Sequence, residues 1–274
     1  MKKKVTKVQI FSNYSNESGQ VVRLLKKKLG QYGFILDKNE FDLAIAVGGD
    51  GTFLKMVHAT RFNPNIYYAG IHTGTLGFLQ ELNPQDIDSF LNSLKNQTLM
   101  EEEISIQKTE IDGIKPITVY SLNEIVIRNL DLKTSRLNIY IDNRHLEELV
   151  GDGIMISTTV GSTAYNLSAG GAIVDSSLHT LQLTPMLALN SSAYRNLLNS
   201  LIIPESRVIT IIPSGNIQDN NANLLVIIDG VIKKYHHVKK ITTTVAKNRI
   251  VCLKLSEHYF YDKVHDKFLN EMKR

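Results

Sequence analysis

Gly48-Gly49-Asp50-Gly51-Thr52 sets one carboxylate among glycines, directly after the apolar run Leu43-Ala44-Ile45-Ala46-Val47 and directly before the helical spacing of Phe53, Leu54, Met56 and Val57. A turn between a buried strand and a helix suits phosphate. Its glycines let the backbone take positive φ and approach a ligand closely. The following helix offers unpaired N–H groups and the positive end of its dipole. Gly48, Gly49, Gly51 and Thr52 are therefore candidate phosphate-binding residues, with Thr52 able to cap the helix or to bond a phosphate oxygen. A carboxylate is unfavourable in such a place unless it has a task. Asp50 can accept a proton from an attacking hydroxyl, help hold Mg²⁺ against phosphates, or act only as a helix N-cap. The turn is neither a Walker A loop, which would need Gly-Lys-Ser/Thr, nor Gly-x-Gly-x-x-Gly.

Three further clusters carry polar chemistry. Gly70-Ile71-His72-Thr73-Gly74-Thr75-Leu76-Gly77-Phe78-Leu79 also follows a strand and belongs on the same sheet edge. Asn123-Glu124 interrupts an apolar stretch, where a carboxylate is costly to bury without a partner; a ligand or an ordinary structural hydrogen bond would serve. Gly151-Asp152-Gly153-Ile154-Met155-Ile156-Ser157 reads as a turn entering a buried strand. The stretch Thr158 to Gly171 is then dominated by hydroxyl residues and glycine. Such a stretch fills a core poorly but can wrap a polar ligand, with Tyr165 able to stack or hydrogen-bond.

The elements that must position these residues fall into two halves. Over residues 1–100, strand-like and helix-like segments alternate, which predicts an α/β domain with a parallel sheet. Strands are expected at Lys7–Phe11, Phe34–Leu36, Leu43–Val47 and Ile66–Ile71. Helices are expected around Val21–Leu29, Thr52–Ala59 and after Asn83-Pro84, the last with an Ile87, Phe90, Leu91 and Leu94 stripe. Over 101–256 the period falls to two, which predicts an all-β domain. Its strands are expected at 104–106, Ile117–Ile127, Leu137–Ile141, Val208–Ile212, Leu224–Ile228, Val231–Val238, Ile241–Val245 and Ile250–Leu255. Asp112-Gly113, Asp142-Asn143 and Asp229-Gly230 read as turns. Pro213–Asn223 reads as a polar, mobile loop. Helical spacing returns over 261–272 and predicts a helix that packs back on the first domain.

Composition narrows the class. The chain has 274 residues, 43% hydrophobic and 21% charged, near globular averages. No apolar run approaches the ~20 residues of a membrane span. Lys2 to Lys4 precede no apolar stretch, so they read as a solvated tail and not as a signal peptide. The single cysteine, Cys252, sits in an apolar run and reads as core filling. His236-His237 would point to opposite faces of a strand, so they do not form a metal pair. The net charge of +4 suits anionic small molecules but is too weak to indicate nucleic acid. A reducing, cytoplasmic setting is expected, with neither a nucleic-acid nor a membrane partner.

In order along the chain, GGDGT (48–52), Gly-x-Leu-Gly-Phe (74–78), Asn-Glu (123–124), Asp-Gly (152–153) and Gly-Ser-Thr-Ala-Tyr (161–165) resemble the NAD kinase family over nearly the whole length. The first turn alone is shared with diacylglycerol- and sphingosine-type lipid kinases and, more loosely, with phosphofructokinases. The resemblance implies a Rossmann-like first domain of that kind, an all-β second domain that binds NAD, and transfer of the γ-phosphoryl of ATP or polyphosphate to the 2′-hydroxyl of the adenosine ribose, with Mg²⁺. It makes Asp50 the catalytic carboxylate. It makes Asp50, Gly51, Phe78, Asn123, Glu124, Asp152, Ser157, Thr163, Ala164, Tyr165, Ser168 and Ala188 the NAD-binding set, and implies a homodimer or homotetramer in which a neighbour contacts part of the NAD. No protein metal ligand is assigned. The family usually has proline and a hydroxyl residue where this chain has Thr159 and Val160, which predicts altered affinity without loss of activity. A lipid kinase with the same turn would need an apolar acceptor groove, and a non-catalytic NAD sensor would not need Asp50.

Overall fold

The computed structural model describes residues 3–74, 77–214, 222–255 and 260–269. Lys2, Thr75, Leu76, most of the loop expected over Pro213–Asn223, and residues 270–272 of the expected last helix lie outside the described residues. The chain divides into two units, 1–104 with 248–274, and 105–247.

In the first unit the elements are β1 (Lys7–Ser12), α1 (Asn16–Tyr32), β2 (Ile35–Leu36), β3 (Leu43–Gly48), α2 (Asp50–Ala59), β4 (Tyr67–His72), α3 (Ile87–Asn96) and β5 (Met100–Ile104). The sheet runs β2, β1, β3, β4, then the strand Ile250–Lys254, then β5. It is parallel from β2 to Ile250–Lys254, and β5 pairs antiparallel at the edge. Leu43 to Val47 are fully buried, as a central strand covered on both faces requires. Leu25 and Leu29 of α1 and Phe90, Leu91 and Leu94 of α3 pack with Leu43, Ile45 and Val47 in one core. Local signals set the helix limits. Ser15 accepts from the Ser18 N–H at the start of α1, and Gly33 closes it in the left-handed region with φ 85°. Asn83 and Asp86 form a capping box around a short 3₁₀ turn at Pro84–Asp86, and α3 begins only after it.

Ile250–Leu255 was expected in the second domain, yet Ile250–Lys254 completes the first unit's sheet between β4 and β5. A five-residue apolar run has the same composition in either sheet, so only its partners decide. Burial raises the thiol of Cys252 on this strand well above its usual range, which fits a core filler.

The second unit contains β6 (Gln107–Asp112), β7 (Ile117–Ser121), β8 (Glu124–Asn129), β9 (Ser135–Ile141), β10 (Arg144–Gly151), β11 (Gly153–Thr158), the single turn α4 (Tyr165–Ser168), β12 (Thr180–Met186), β13 (Leu201–Pro204), β14 (Ile209–Pro213), β15 (Ala222–Ile228), β16 (Val231–Val238) and β17 (Lys240–Val245). Two antiparallel six-stranded sheets result, in the orders β10-β9-β14-β17-β6-β7 and β13-β12-β11-β8-β15-β16. Ile111, Leu137, Ile139, Ile209, Ile211 and Ile241 of the first meet Ile125, Ile127, Ile154, Ile156, Leu183 and Val226 of the second in one apolar core. Asp142-Asn143 and Asp229-Gly230 are two-residue hairpin turns with positive φ throughout.

One strand is expected over Ile117 to Ile127. The chain instead breaks at Leu122-Asn123, sending β7 to one sheet and β8 to the other. The strand expected over 104–106 is instead the junction between β5 and β6, and β6, β10, β12 and β13 are not expected from the sequence: Arg144–Gly151 is polar along most of its length and Thr180–Met186 is buried with Gln182 and Thr184 inside it. Among the described residues no helix is long and apolar enough to cross a membrane.

Candidate active site

The first candidate site is built at the carboxyl edge of the parallel sheet. β3 and β4 are paired from Leu43 with Tyr67 to Gly48 with His72, so the loops that follow them emerge side by side. α2 starts at once after β3. Gly49 is its N-cap and provides no side-chain cap, so the helix N-terminus remains available to an anion. Asp50 therefore does not cap the helix. Its carboxylate turns to the second glycine loop, accepting from the Phe78 N–H at 3.0 Å (Oδ2) and the Leu79 N–H at 3.2 Å (Oδ1). A Cβ on Gly77 would lie 2.8 Å from Asp50 Oδ2 and closer still to Oδ1, so only glycine lets the loop approach the carboxylate this closely.

Residues without a local sequence signal complete this arrangement. Gln80 donates from Nε2 to the Gly49 carbonyl at 2.6 Å, tying the two loops together. The Lys267 ammonium stands 3.8 Å from Asp50 Oδ2 and 4.7 Å from the centre of the Phe78 ring. Phe78 stacks on Phe268 at 5.7 Å and lies 6.3 Å from Phe260. Glu81 bonds both Lys254 and Lys263. Burial alone would raise the Glu81 carboxyl, but the two lysines reverse that and hold it below its usual range. These partners are distant in sequence and carried no local signal.

The second set lies in the second unit. Asn123 and Glu124 are buried at 7% and 5% exposure, yet Asn123 Oδ1 and Glu124 Oε2 have no hydrogen-bond partner. Orphaned buried polar atoms are costly, so they point to a polar ligand. Ser157, across the sheet from Glu124, is also buried. Gly161 lies against this turn: a Cβ there would be 2.6 Å from Ser157 Oγ and closer to the Asn123 carbonyl. Thr163 and Ala164 are partly exposed just beyond, with Tyr165 and Ser168 exposed on α4. Thr159, which replaces the usual proline, donates from its hydroxyl to the Leu178 carbonyl at 2.6 Å and so supplies another brace for the loop.

The remaining two predicted residues are not brought to this place. Asp152 precedes β11 while Ser157 lies near its other end, about 17 Å along an extended strand. Asp152 is paired with Arg128 at 2.8 Å, and Ala188 lies beside Gly151 at the same end.

Burial, reinforced by the Asp229 charge, pushes the Glu124 carboxyl up to about 8 from an ordinary 4.5. Between those values the folded protein keeps a proton that the unfolded chain releases, so this group's contribution to stability falls as pH rises through that window. Glu124→Gln lacks the titration. Its stability relative to the parent is expected to rise from pH 5 to pH 8.5 in urea unfolding. A difference that stays constant with pH would mean that Glu124 ionises normally.

The fold and these loops define a class: an α/β unit with a glycine turn at an uncapped helix N-terminus and a fixed carboxylate, joined to an antiparallel β unit with an orphaned polar turn. Residues 20–99 match the ATP-NAD kinase N-terminal domain family, and residues 122–250 match the ATP-NAD kinase C-terminal domain family. The NAD kinase of Finegoldia magna is 37% identical over 271 residues, covering 96% of this chain and 97% of that protein. The chain belongs to the NAD kinase family. Two solved structures share the fold. A yeast NADH kinase complexed with NADH has a TM-score of 0.84 at 19% identity, covering 100% of this chain and 90% of its own. An NAD kinase from Archaeoglobus fulgidus in complex with ATP has a TM-score of 0.75 at 21% identity, covering 95% of this chain and 99% of its own.

Proposed function

We propose that the chain transfers the γ-phosphoryl of ATP to the 2′-hydroxyl of the adenosine ribose of NAD, giving NADP and ADP, with polyphosphate as a possible second donor. The observation that carries the reading is the Asp50 carboxylate, fixed by two backbone N–H groups beside an uncapped helix N-terminus. A ribose hydroxyl is a poor nucleophile until its proton leaves. Asp50 accepts that proton as the oxygen attacks the γ-phosphorus and the bond to the β-phosphate oxygen breaks. Gly48, Gly49 and Gly51 hold donor phosphate through the glycine backbone leading into α2, and Thr52, whose N–H already bonds the Gly49 carbonyl, through its hydroxyl. Asn123, Glu124, Ser157, Thr163, Ala164, Tyr165 and Ser168 of the second unit bind the dinucleotide, and Phe78 and Gly51 of the first unit are substrate contacts. The unpartnered atoms of Asn123 and Glu124 favour such a polar acceptor over a lipid.

Among the described residues no group of three or more His, Cys, Asp or Glu converges on one point. Mg²⁺ is commonly bound by one or two carboxylates and substrate phosphates. Asp50 would be the protein group beside it, and when bound the ion would neutralise charge on the phosphates. Asp152 and Ala188, at the far end of β11, fit a homodimer or homotetramer in which they serve NAD bound to a neighbouring copy. The buried Cys252, not paired with another cysteine, fits the proposed cytoplasmic setting.

The test is to incubate the purified protein with NAD, ATP and Mg²⁺ and to follow NADP with a dehydrogenase specific for it. Steady NADP production is expected. No NADP with either ATP or polyphosphate would overturn the reading.

A further inference from the structure

We infer that Asp229, a hairpin-turn residue, is a positioning residue for dinucleotide recognition: it fixes the Leu122–Glu124 turn that presents Asn123 and Glu124. The inference rests on the functional reading above, because it assigns a purpose to those two side chains.

The argument begins with the backbone of the break between β7 and β8. Where a chain leaves one sheet for another, its N–H groups lose their ladder partners and must be satisfied elsewhere. Asp229 meets three of them at once. Its Oδ2 accepts from the Leu122 N–H at 2.8 Å, and its Oδ1 accepts from the N–H of Asn123 at 2.8 Å and of Glu124 at 3.3 Å. Its own N–H donates to the Glu124 carbonyl at 3.1 Å. The carbonyl side of the turn is held by β11: Thr158 Oγ1 donates to the Leu122 carbonyl at 2.6 Å, and the Thr158 N–H to the Asn123 carbonyl at 2.8 Å. The backbone of Asn123 is thus satisfied in both directions, while the side-chain Oδ1 is buried and unpartnered. A turn so fully braced, carrying side chains so incompletely satisfied, is the arrangement expected of a preorganised recognition element.

The choice of residue at 229 also fits. Asp229 has φ 45°, in the left-handed region, which Asp and Asn tolerate better than most residues. A hairpin turn alone would be met equally by Asn. The carboxylate adds charge-assisted acceptors for several N–H groups, which an amide with one carbonyl oxygen does not match. It does so beside Glu124, whose carboxyl burial pushes up and the Asp229 charge pushes further.

The experiment uses the full chain carrying Asp229→Asn, which keeps the turn conformation and one acceptor, with Asp229→Ala as the stronger lesion. Losing a charge-assisted bond to the turn is expected to raise the KM for NAD by about tenfold. The KM for ATP and the kcat should stay within about twofold, because the carboxylate edge of the first unit is untouched. A general loss of folding would lower the active fraction and hence kcat without this split. The same substitution is then made in the Asn123→Ala/Glu124→Gln background, with NAD affinity read by titration calorimetry. If Asp229 acts through those side chains, its replacement there changes affinity by less than about twofold. An unchanged KM for NAD in Asp229→Asn, or an equal fold-change with and without Asn123 and Glu124, overturns the inference while leaving an active parent enzyme and its function intact. A parent that neither makes NADP nor binds NAD overturns the functional reading and this inference with it.

Discussion

Asp50→Asn is expected to lower turnover at saturating NAD and ATP by at least ~10²-fold, the scale of one acid–base group, with the KM for NAD little changed. The carboxylate is in the first turn of α2, beside the glycines proposed to carry donor phosphate. A negative group there works against phosphate binding unless it acts on the acceptor hydroxyl. Asparagine has nearly the same shape but accepts a proton far more weakly, and its amide nitrogen would face one of the two N–H groups now bonded by Asp50. The variant therefore separates two roles. If Asp50 is the base, turnover collapses while the thermal midpoint moves little. If Asp50 only braces the 77–79 loop, stability falls and turnover stays within about threefold, an outcome that would remove the proton-transfer role assigned to it.

Legibility in the sequence followed the range of the physics. The GGDGT turn was readable because a fully apolar strand, a glycine corner and a helical stripe are adjacent in the chain, and together they fix a place at the carboxyl end of a strand. Asn123-Glu124 was readable as a polar pair inside an apolar stretch, and both side chains are buried with one oxygen each unpartnered. What could not be read were partners distant in the chain. The Asp50 carboxylate also reads as a helix cap, because nothing local shows that Phe78 and Leu79 supply its donors. Asp229 read as half of a hairpin turn, which it is, but its three contacts lie more than a hundred residues earlier in the chain. Ile250–Lys254 was placed in the wrong half for the same reason: its alternation and apolar content are intrinsic, while its pairing with Met100–Ile104 and Tyr67–Tyr68 is not. The division of Ile117–Ile127 between two sheets was hidden because apolar residues continue on both sides of the break.

Gly77→Ala is expected to reduce turnover nearly as much as loss of Asp50 itself, by roughly 10²-fold, although residue 77 contributes no side chain to the chemistry. A Cβ at this position would lie 2.8 Å from Asp50 Oδ2 and closer to Oδ1, so the two groups cannot keep their places. If the carboxylate rotates away, the bonds from the Phe78 and Leu79 N–H groups are lost. If the loop retreats instead, Phe78 moves with it, disturbing its stacking on Phe268. Either response displaces the base by on the order of 1 Å, enough to cost about two powers of ten in a reaction governed by positioning. Gly30→Ala is the matched control, since a Cβ there meets nothing within 4 Å and activity should be unchanged. The decisive comparison is the double variant. If Gly77 acts only by allowing Asp50 its place, Asp50→Asn/Gly77→Ala will be no slower than the slower single variant. Multiplied losses would show that the loop makes a separate contribution, and turnover within about threefold of the parent in Gly77→Ala alone would show that the carboxylate does not depend on this close approach.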